Sequence, residues 1–531
     1  MSSWNQPGPG TTTPTGPPSH GTSSARGLDA PPSSRLVQGR FGRMFRSLPV
    51  FEVPEETVIE ELSALAKKMV QAPEEDKPLD ADDEDQNHDI PAGYTYLGQF
   101  IDHDITFDPV SSLQRQNDPD ALDDFRTPRF DLDSVYGRGP ADQPYLYQSD
   151  DPTKLREGNQ VERESEFGGP DLPRFDSRAL IGDPRNDENL IVSQLQSTFL
   201  RFHNAVVDRV RDQGLPGDDA VLKEAQRLVR WHYQWIVVHD FLRQHVVGAE
   251  TVDDILRSEP YVVAGLPSGG ADRDEASFGP QQVGLPTPRL VFYRFENDPF
   301  MPVEFSAAAY RFGHSMVRPS YFFNDFVRER TQPNRTKIFS ANLAPDNLEN
   351  LNGSRPLPPD WGFQWKYFFE LSDEAHLPQP SYRIDEELVN PLGELPNHPP
   401  PNPPPPDFAS LAFRNLLRGV RLGLPSGQTV SRAMGIPPLT DDELELGDVA
   451  PTFAGHAPLW YYVLRESDVR AAGRRLGPVG GRIVAEVLIG LLAGDPLSYL
   501  RVEPSWTPTL GETEGQFTMP DLIKVAGADT P

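Results

Sequence analysis

Proline occupies 57 of the 531 positions, and this feature restricts the chain more than any other. A proline ring removes a backbone donor and breaks helix interiors and sheet ladders. Much of the chain must therefore run as loops around the segments that carry order. A chain of this length can still bury a large core, and 37% hydrophobic with 10% aromatic residues is enough to fill one. Residues 1–35 are rich in Pro, Gly, Ser and Thr and are expected to form a disordered tail. The remainder, 36–531, shows only weak internal boundaries and is expected to be one large domain. The proline run at 396–406 (PNHPPPNPPPP) reads as an extended surface loop inserted over about 392–407, because residues beyond it complete a site described below.

Between the loops, apolar residues recur at helical spacing. Val58, Leu62, Leu65 and Val70 predict a helix over 54–71; Ile191, Leu195, Phe199, Phe202, Val206 and Val210 predict one over 190–213. Leu222, Ala225, Leu228, Trp231, Trp235 and Val238 carry the same pattern over 220–247. A further helix is expected over 304–317, stopped by Pro319. Shorter candidates lie at 408–418, 440–445, 458–472 and 480–493, and the acidic stretch 74–89 reads as exposed loop. Strand alternation is scarce, so the expected class is mainly α with little β.

A net charge of −30 and a pI near 4.7 argue against a nucleic-acid or anionic-membrane partner and fit a solvated acidic surface. The chain has no cysteine. That removes disulfides, Cys–zinc sites, iron–sulfur clusters, Cys-ligated haem and CxxCH attachment. Any metal centre must rest on His, Asp, Glu and backbone oxygen. The first residues lack the basic start and apolar stretch of a secretory signal, so a cytoplasmic or unconventionally secreted protein is expected. The most apolar run, 483–492, is too short to span a bilayer and contains Glu486; it reads as a buried helix.

Four segments concentrate groups that can do chemistry. In Gln99-Phe-Ile-Asp102-His103-Asp104 a histidine is flanked by two carboxylates, and on a helix Gln99 and His103 share a face. An ordinary structural histidine would fit as well. In Thr127-Pro-Arg129-Phe-Asp131-Leu-Asp133 alternate residues all offer oxygen, which suits a hard cation such as calcium. A solvated polar loop is the plain alternative. Gly182-Asp-Pro-Arg185-Asn-Asp-Glu188 stands at a helix entrance, where a carboxylate is favourable anyway. In Tyr310-Arg311-Phe312-Gly313-His314 the glycine leaves room for something flat beside a histidine able to ligate iron, although a core histidine is again possible.

Taken in this order, the segments resemble the animal haem peroxidase (peroxidase–cyclooxygenase) superfamily over roughly residues 40–525. GQFIDHD is similar to the family's distal stretch, TPRFDLDSVYG to its calcium loop, GDPRNDEN to its RxxE segment and AYRFGHS to its proximal segment. A fifth match, Asn415-Leu-Leu-Arg418-Gly-Val-Arg-Leu-Gly-Leu-Pro425, resembles the family's NxxRxxxxGxP.

The resemblance implies a large, mainly α fold with haem b buried between central helices, and a peroxidase that uses hydrogen peroxide. It implies His103 as distal base, Arg185 as stabiliser of developing negative charge, and Gln99 as holder of a water or halide. It implies His314 as iron ligand, Asn415 as acceptor of its other ring N–H, and Arg311 and Arg418 as partners of haem propionates. Asp102 and Glu188 match positions that form ester links to haem. Asp104, Thr127, the Arg129 carbonyl, Asp131 and Asp133 match calcium ligands. Asn189 stands where a sulfonium link needs methionine, so none is expected, and bromide, iodide, thiocyanate or phenolic donors are expected ahead of chloride.

Three alternatives belong beside this expectation, one of them a non-catalytic adhesion or matrix protein that kept the fold. A haem-dependent fatty-acid dioxygenase would share the scaffold and use a tyrosyl radical; no Tyr-x-Trp-His-Pro segment follows His314, and Trp365, Tyr367, Phe368 and Phe369 are the nearest aromatic cluster. A metal hydrolase of the HD type would use the dyads His103–Asp104 and His239–Asp240.

Overall fold

The computed structural model describes residues 39–50, 55–72, 84–107, 123–124, 126–159, 168–257, 288–295, 298–329, 335–339, 349–371, 378–395 and 407–529. The expected tail and the proline run 396–406 lie outside the described residues. Seven helices frame the core: α1 (Glu55–Met69), α2 (Gly93–Ile105), α3 (Leu190–Asp212), α4 (Asp218–Trp235), α5 (Leu411–Arg421), α6 (Leu459–Ala471) and α7 (Pro478–Gly494). The class is mainly α, as the periodicity predicts.

α3 is the clearest product of its sequence. Asn189 caps it by accepting from the Val192 N–H at 2.9 Å, and the apolar stripe from Ile191 to Val210 is buried throughout. α4 opens with Asp218 and Asp219, whose charges suit the positive end of the helix. It then passes without a break into a π-helical stretch, Ile236–Val246. α3 packs on α4 and on α2, α1 packs on α5, and α6 packs on α7. In α7, Glu486 is buried among apolar residues because it accepts three backbone N–H groups, from Val291, Phe292 and Tyr293. Among the described residues no helix is long and apolar enough to cross a membrane.

Two expectations need correction. The helix expected over 304–317 is broken: one α turn, Val303–Ser306, gives way to a 3₁₀ turn, Ala309–His314. The cause is Glu304, which is fully buried and accepts from the backbone N–H groups of Met44 and Phe45 at 3.0 and 3.1 Å. That anchors the first turn to residues 44–45, just after the N-terminal strand, and the chain re-aims before the histidine. The stretch expected as exposed acidic loop ends in a strand: Gln86–Pro91 pairs antiparallel with Pro380–Tyr382, Gln86 opposite Tyr382. A strand this short carries too little alternation to stand out from a polar loop. The other described sheets are smaller still. Gly39–Gly42 lies between Asp123–Asp124 and Met301–Pro302, and two hairpin-like pairs complete the set.

Candidate active site

α2, the segment before α3, the 3₁₀ turn and the first turn of α5 enclose one cavity of about 730 Å³. Its wall holds Gln99, Asp102 and His103 on one side, Glu188 and Asn189 beside them, and Arg311, Gly313 and His314 on the other. The volume falls within the range of cofactor pockets. Residues more than 200 positions apart in sequence thus face one space.

His103 is buried, 5% exposed, and its orientation is fixed by a relay. Gln196 Nε2 donates to the Ser134 carbonyl at 3.2 Å, so its Oε1 accepts from Asn186 Nδ2 at 2.8 Å. Asn186 Oδ1 must then accept, and it lies 2.7 Å from His103 Nδ1. The proton of a neutral His103 is held on Nδ1, and the Nε2 lone pair is left for the cavity. Nε2 stands 3.8 Å from Glu188 Oε1. Neither Asn186 nor Gln196 was expected from sequence; an amide beside a motif and another in a helix stripe carry no signal of their own.

Gln99 faces the cavity, but its amide is engaged: it donates to Glu188 and accepts from Asn189 Nδ2 at 3.2 Å. Asn189 therefore both caps α3 and holds Gln99. Glu188 has 49% of its side chain accessible, toward the cavity it lines. Burial pushes its carboxyl above the ordinary range, against the lowering effect of His103 and Arg185. Asp102 lines the same wall and accepts from Thr106 Oγ1 at 3.0 Å.

Arg185 does not line the cavity. Its Nη2 donates to the carbonyls of His103 and Thr106 at 2.9 and 2.7 Å and pairs with Asp183 at 2.8 Å. The last carbonyls of α2 have no intrahelical partner, and a guanidinium satisfies them well. Burial opposes ionisation of Asp183, but Arg185 and Arg126 outweigh it and hold its carboxyl at about 2. Arg185 therefore positions the end of α2 that carries His103.

On the opposite side, burial and the Arg311 charge lower His314 to about 3, so its imidazole is neutral at ordinary pH. Asn415 is its partner, with Nδ2 2.8 Å from His314 Nδ1 and Oδ1 3.4 Å from Arg311 Nη1. The pair is the one the resemblance implies, with the amide nitrogen toward His314 and the oxygen toward Arg311. A Cβ added at Gly313 would meet nothing within 4 Å, so the glycine keeps space open beside His314. Arg418 does not line the cavity. The cavity meets the first turn of α5 at Leu411 and Arg414, and Arg418 lies one turn beyond. Arg355 is the third cavity guanidinium, and sequence gave no sign of it.

Behind α2, Asp104, Asp131 and Asp133 are buried with carboxylate oxygens within 4.8 Å of one another. Thr127 Oγ1 donates to Asp131 at 2.7 Å. Burial raises Asp104 well above the ordinary range, and its two neighbours add to the rise. Arg126 already pairs with Asp133 at 2.8 Å, which offsets part of the crowding, and a further cation would relieve the rest. Gly182 lets the pre-α3 segment lie against this loop, since a Cβ there would fall 2.2 Å from the Asp133 carbonyl oxygen. The Arg129 guanidinium approaches Asp495 at 3.6 Å.

The dyad His239–Asp240 forms no metal group with other residues among those described: His239 stacks on Trp235 at 3.8 Å, and Asp240 accepts from Tyr94. Trp365, Tyr367, Phe368 and Phe369 form buried core and do not line the cavity.

The fold sets two histidines across one cavity with an acidic loop behind one of them, and comparison with known proteins finds similar chains. The family model for animal haem peroxidase matches residues 122–357. Peroxidasin homolog pxn-2 of Caenorhabditis elegans is 23% identical over 248 residues, 46% of this chain; the match spans 15% of the length of that relative. Among solved structures, peroxidase A of Dictyostelium discoideum superposes with a TM-score of 0.54 at 15% identity, covering 94% of this chain and 96% of that one. A fatty acid alpha-dioxygenase of Arabidopsis thaliana gives 0.52 at 16% identity, over 91% of this chain and 75% of that one. The chain is thus similar to animal haem peroxidases over residues 122–357 and shares the fold of the solved peroxidase and dioxygenase structures.

Proposed function

We propose that the protein is a haem peroxidase that uses hydrogen peroxide to oxidise small anions such as bromide, iodide and thiocyanate, or phenolic donors. One observation carries this: His103 and His314 face one cavity, one with a free Nε2 fixed by a relay and the other held neutral. The residues fit haem b, since Gly313 leaves open space beside a neutral imidazole and the carboxyls of Asp102 and Glu188 line the same wall. His314 Nε2 would ligate the iron once the Asn415 amide turns over, so that its oxygen takes the Nδ1 proton. Asp102 and Glu188 would supply the ester links, and Arg311 with Arg414 the cationic partners of the propionates. Haem, when bound, supplies the iron at which peroxide is reduced.

The chain's own groups supply the proton handling. His103 Nε2 takes a proton from peroxide and returns it to the departing oxygen, while Asn186 keeps the ring in the working tautomer. Arg185 acts through position, tying the end of α2 to Asp183. The test is turnover of haem-loaded protein with hydrogen peroxide and bromide or guaiacol. Oxygen uptake on linoleate without peroxide, and no donor oxidation, would contradict it.

Replacement of Asn186 by alanine is expected to slow reaction with peroxide by about 10–100-fold, the usual cost of losing an orienting partner. Stopped-flow rates across pH check this: a shifted pH profile is expected, and an unchanged profile with an unchanged rate would contradict it. Calcium is the ion expected at Asp104, Asp131 and Asp133, with Thr127 and the Arg129 carbonyl. At a free concentration 100-fold above its Kd it should stabilise the fold by about 2.7 kcal/mol. Thermal unfolding with calcium and with a chelator measures this; superimposable curves would rule the site out.

A further inference from the structure

Tyr94 belongs to the cavity wall, yet no step above uses it. It is the second residue of α2, and Tyr94, Gly98 and Asp102 follow at four-residue steps on one face. Eight residues of helix place it about 12 Å from Asp102. The ring is buried, 4% exposed, and its hydroxyl donates to Asp240 Oδ1 at 2.8 Å. On its outer side it lies against His245, with ring centroids 3.8 Å apart. His245 Nε2 is 3.2 Å from the same Asp240 oxygen, and 14% of its side chain is accessible. These three groups therefore run from the cavity toward the surface.

Local backbone geometry creates this alignment. Asp240 and His245 are five residues apart, about 140° around an α-helix and out of reach of each other. In the π-helical stretch Ile236–Val246 the i to i+5 pattern makes them neighbours. Such stretches are uncommon and cluster at functional sites. Burial, with Asp240 beside it, holds the Tyr94 hydroxyl well above its ordinary range, so the phenol keeps its proton at rest. It can give up an electron readily only if a neighbour takes that proton, and the carboxylate is already hydrogen-bonded to it.

We propose that Tyr94 is a one-electron relay between the cavity and the surface at His245, serving phenolic reductants that act from outside. The inference rests on the peroxidase function proposed above, which supplies the oxidant as hydrogen peroxide acting through haem. Tyr94 would give up one electron, with hydrogen peroxide as the final oxidant, and pass its phenolic proton to Asp240, becoming a phenoxyl radical. An external phenol then returns one electron, Asp240 returns the proton, and the phenol releases its own proton to solvent. Two such cycles deliver the two electrons that reduce one peroxide to two waters.

Asp240 also accepts from the Met519 N–H at 2.8 Å, a contact that would serve simply to fasten the C-terminal segment. The experiment therefore reads the radical and not turnover. Haem-loaded full-length protein is mixed with hydrogen peroxide without donor, freeze-quenched, and examined by electron paramagnetic resonance, with and without ring-deuterated tyrosine. A tyrosyl signal that narrows on deuteration and falls at least fivefold in Tyr94→Phe, at equal haem content, is expected. Asp240→Asn keeps the phenol but changes its hydrogen bond, and should shift the g-tensor of the radical. An equal signal in Tyr94→Phe, an unshifted g-tensor in Asp240→Asn, or no protein radical in haem-loaded wild type would overturn the relay and leave the peroxidase standing. Failure to bind haem would remove both.

Discussion

Replacing His103 with alanine is expected to slow the reaction of haem-loaded protein with hydrogen peroxide by about 10²–10⁴-fold, the usual worth of a positioned acid–base group. The position of the ring explains why the loss should be this large. Asn186 and Gln196 fix Nδ1 as the donor, so Nε2 is the only cavity-facing atom of the ring able to accept a proton. Glu188 Oε1, 3.8 Å away, does not replace it, because in the haem-loaded protein its carboxyl is the one proposed to form an ester link. Stopped-flow mixing at equal haem content measures the effect. A rate within threefold of wild type would show that another group moves the proton. His103 touches the relay on its buried side, so Soret intensity and thermal unfolding of the variant are read alongside.

Replacing His314 with alanine should cost on the order of 100-fold or more in haem affinity, since even the outer partners of a metal ligand cost 10–100-fold. The side chain is suited to the role: burial and Arg311 hold it at about 3, so no proton has to leave before a metal binds. The Asn415 amide is adjacent at 2.8 Å and would accept from Nδ1 on exchanging its two ends, at the loss of its 3.4 Å contact with Arg311. Titration of the variant with haemin, followed by absorbance, gives the affinity directly. Wild-type affinity in the variant would place the iron ligand elsewhere.

The long helices were legible because their cores are continuous stripes: α3 buries every apolar residue from Ile191 to Val210 that the spacing marks. The site was legible as a set of segments, since each motif is local and the fold brings them to one cavity. Directions within the segments were not legible. Arg185 sits in the expected motif but turns to the open carbonyls of α2, a demand set by where that helix ends. Arg414 and not Arg418 meets the cavity, which depends on how far α5 extends past it. The broken helix before His314 depends on Glu304 finding two backbone donors near residue 44, a contact about 260 positions away. The Asn186–Gln196 relay needs two segments ten residues apart to meet, and neither residue type signals that alone.

The most direct test of haem binding at this cavity is an absorption spectrum of the purified full-length protein reconstituted with haemin, followed by acid–butanone extraction. A Soret band at one haem per chain, retained in part by the polypeptide after extraction, is the expected result, the retained part reporting esters at Asp102 and Glu188. Complete extraction would remove the esters and keep the haem site. No Soret band in folded protein at any haemin concentration would contradict the assignment of His314 and His103 to a haem cavity.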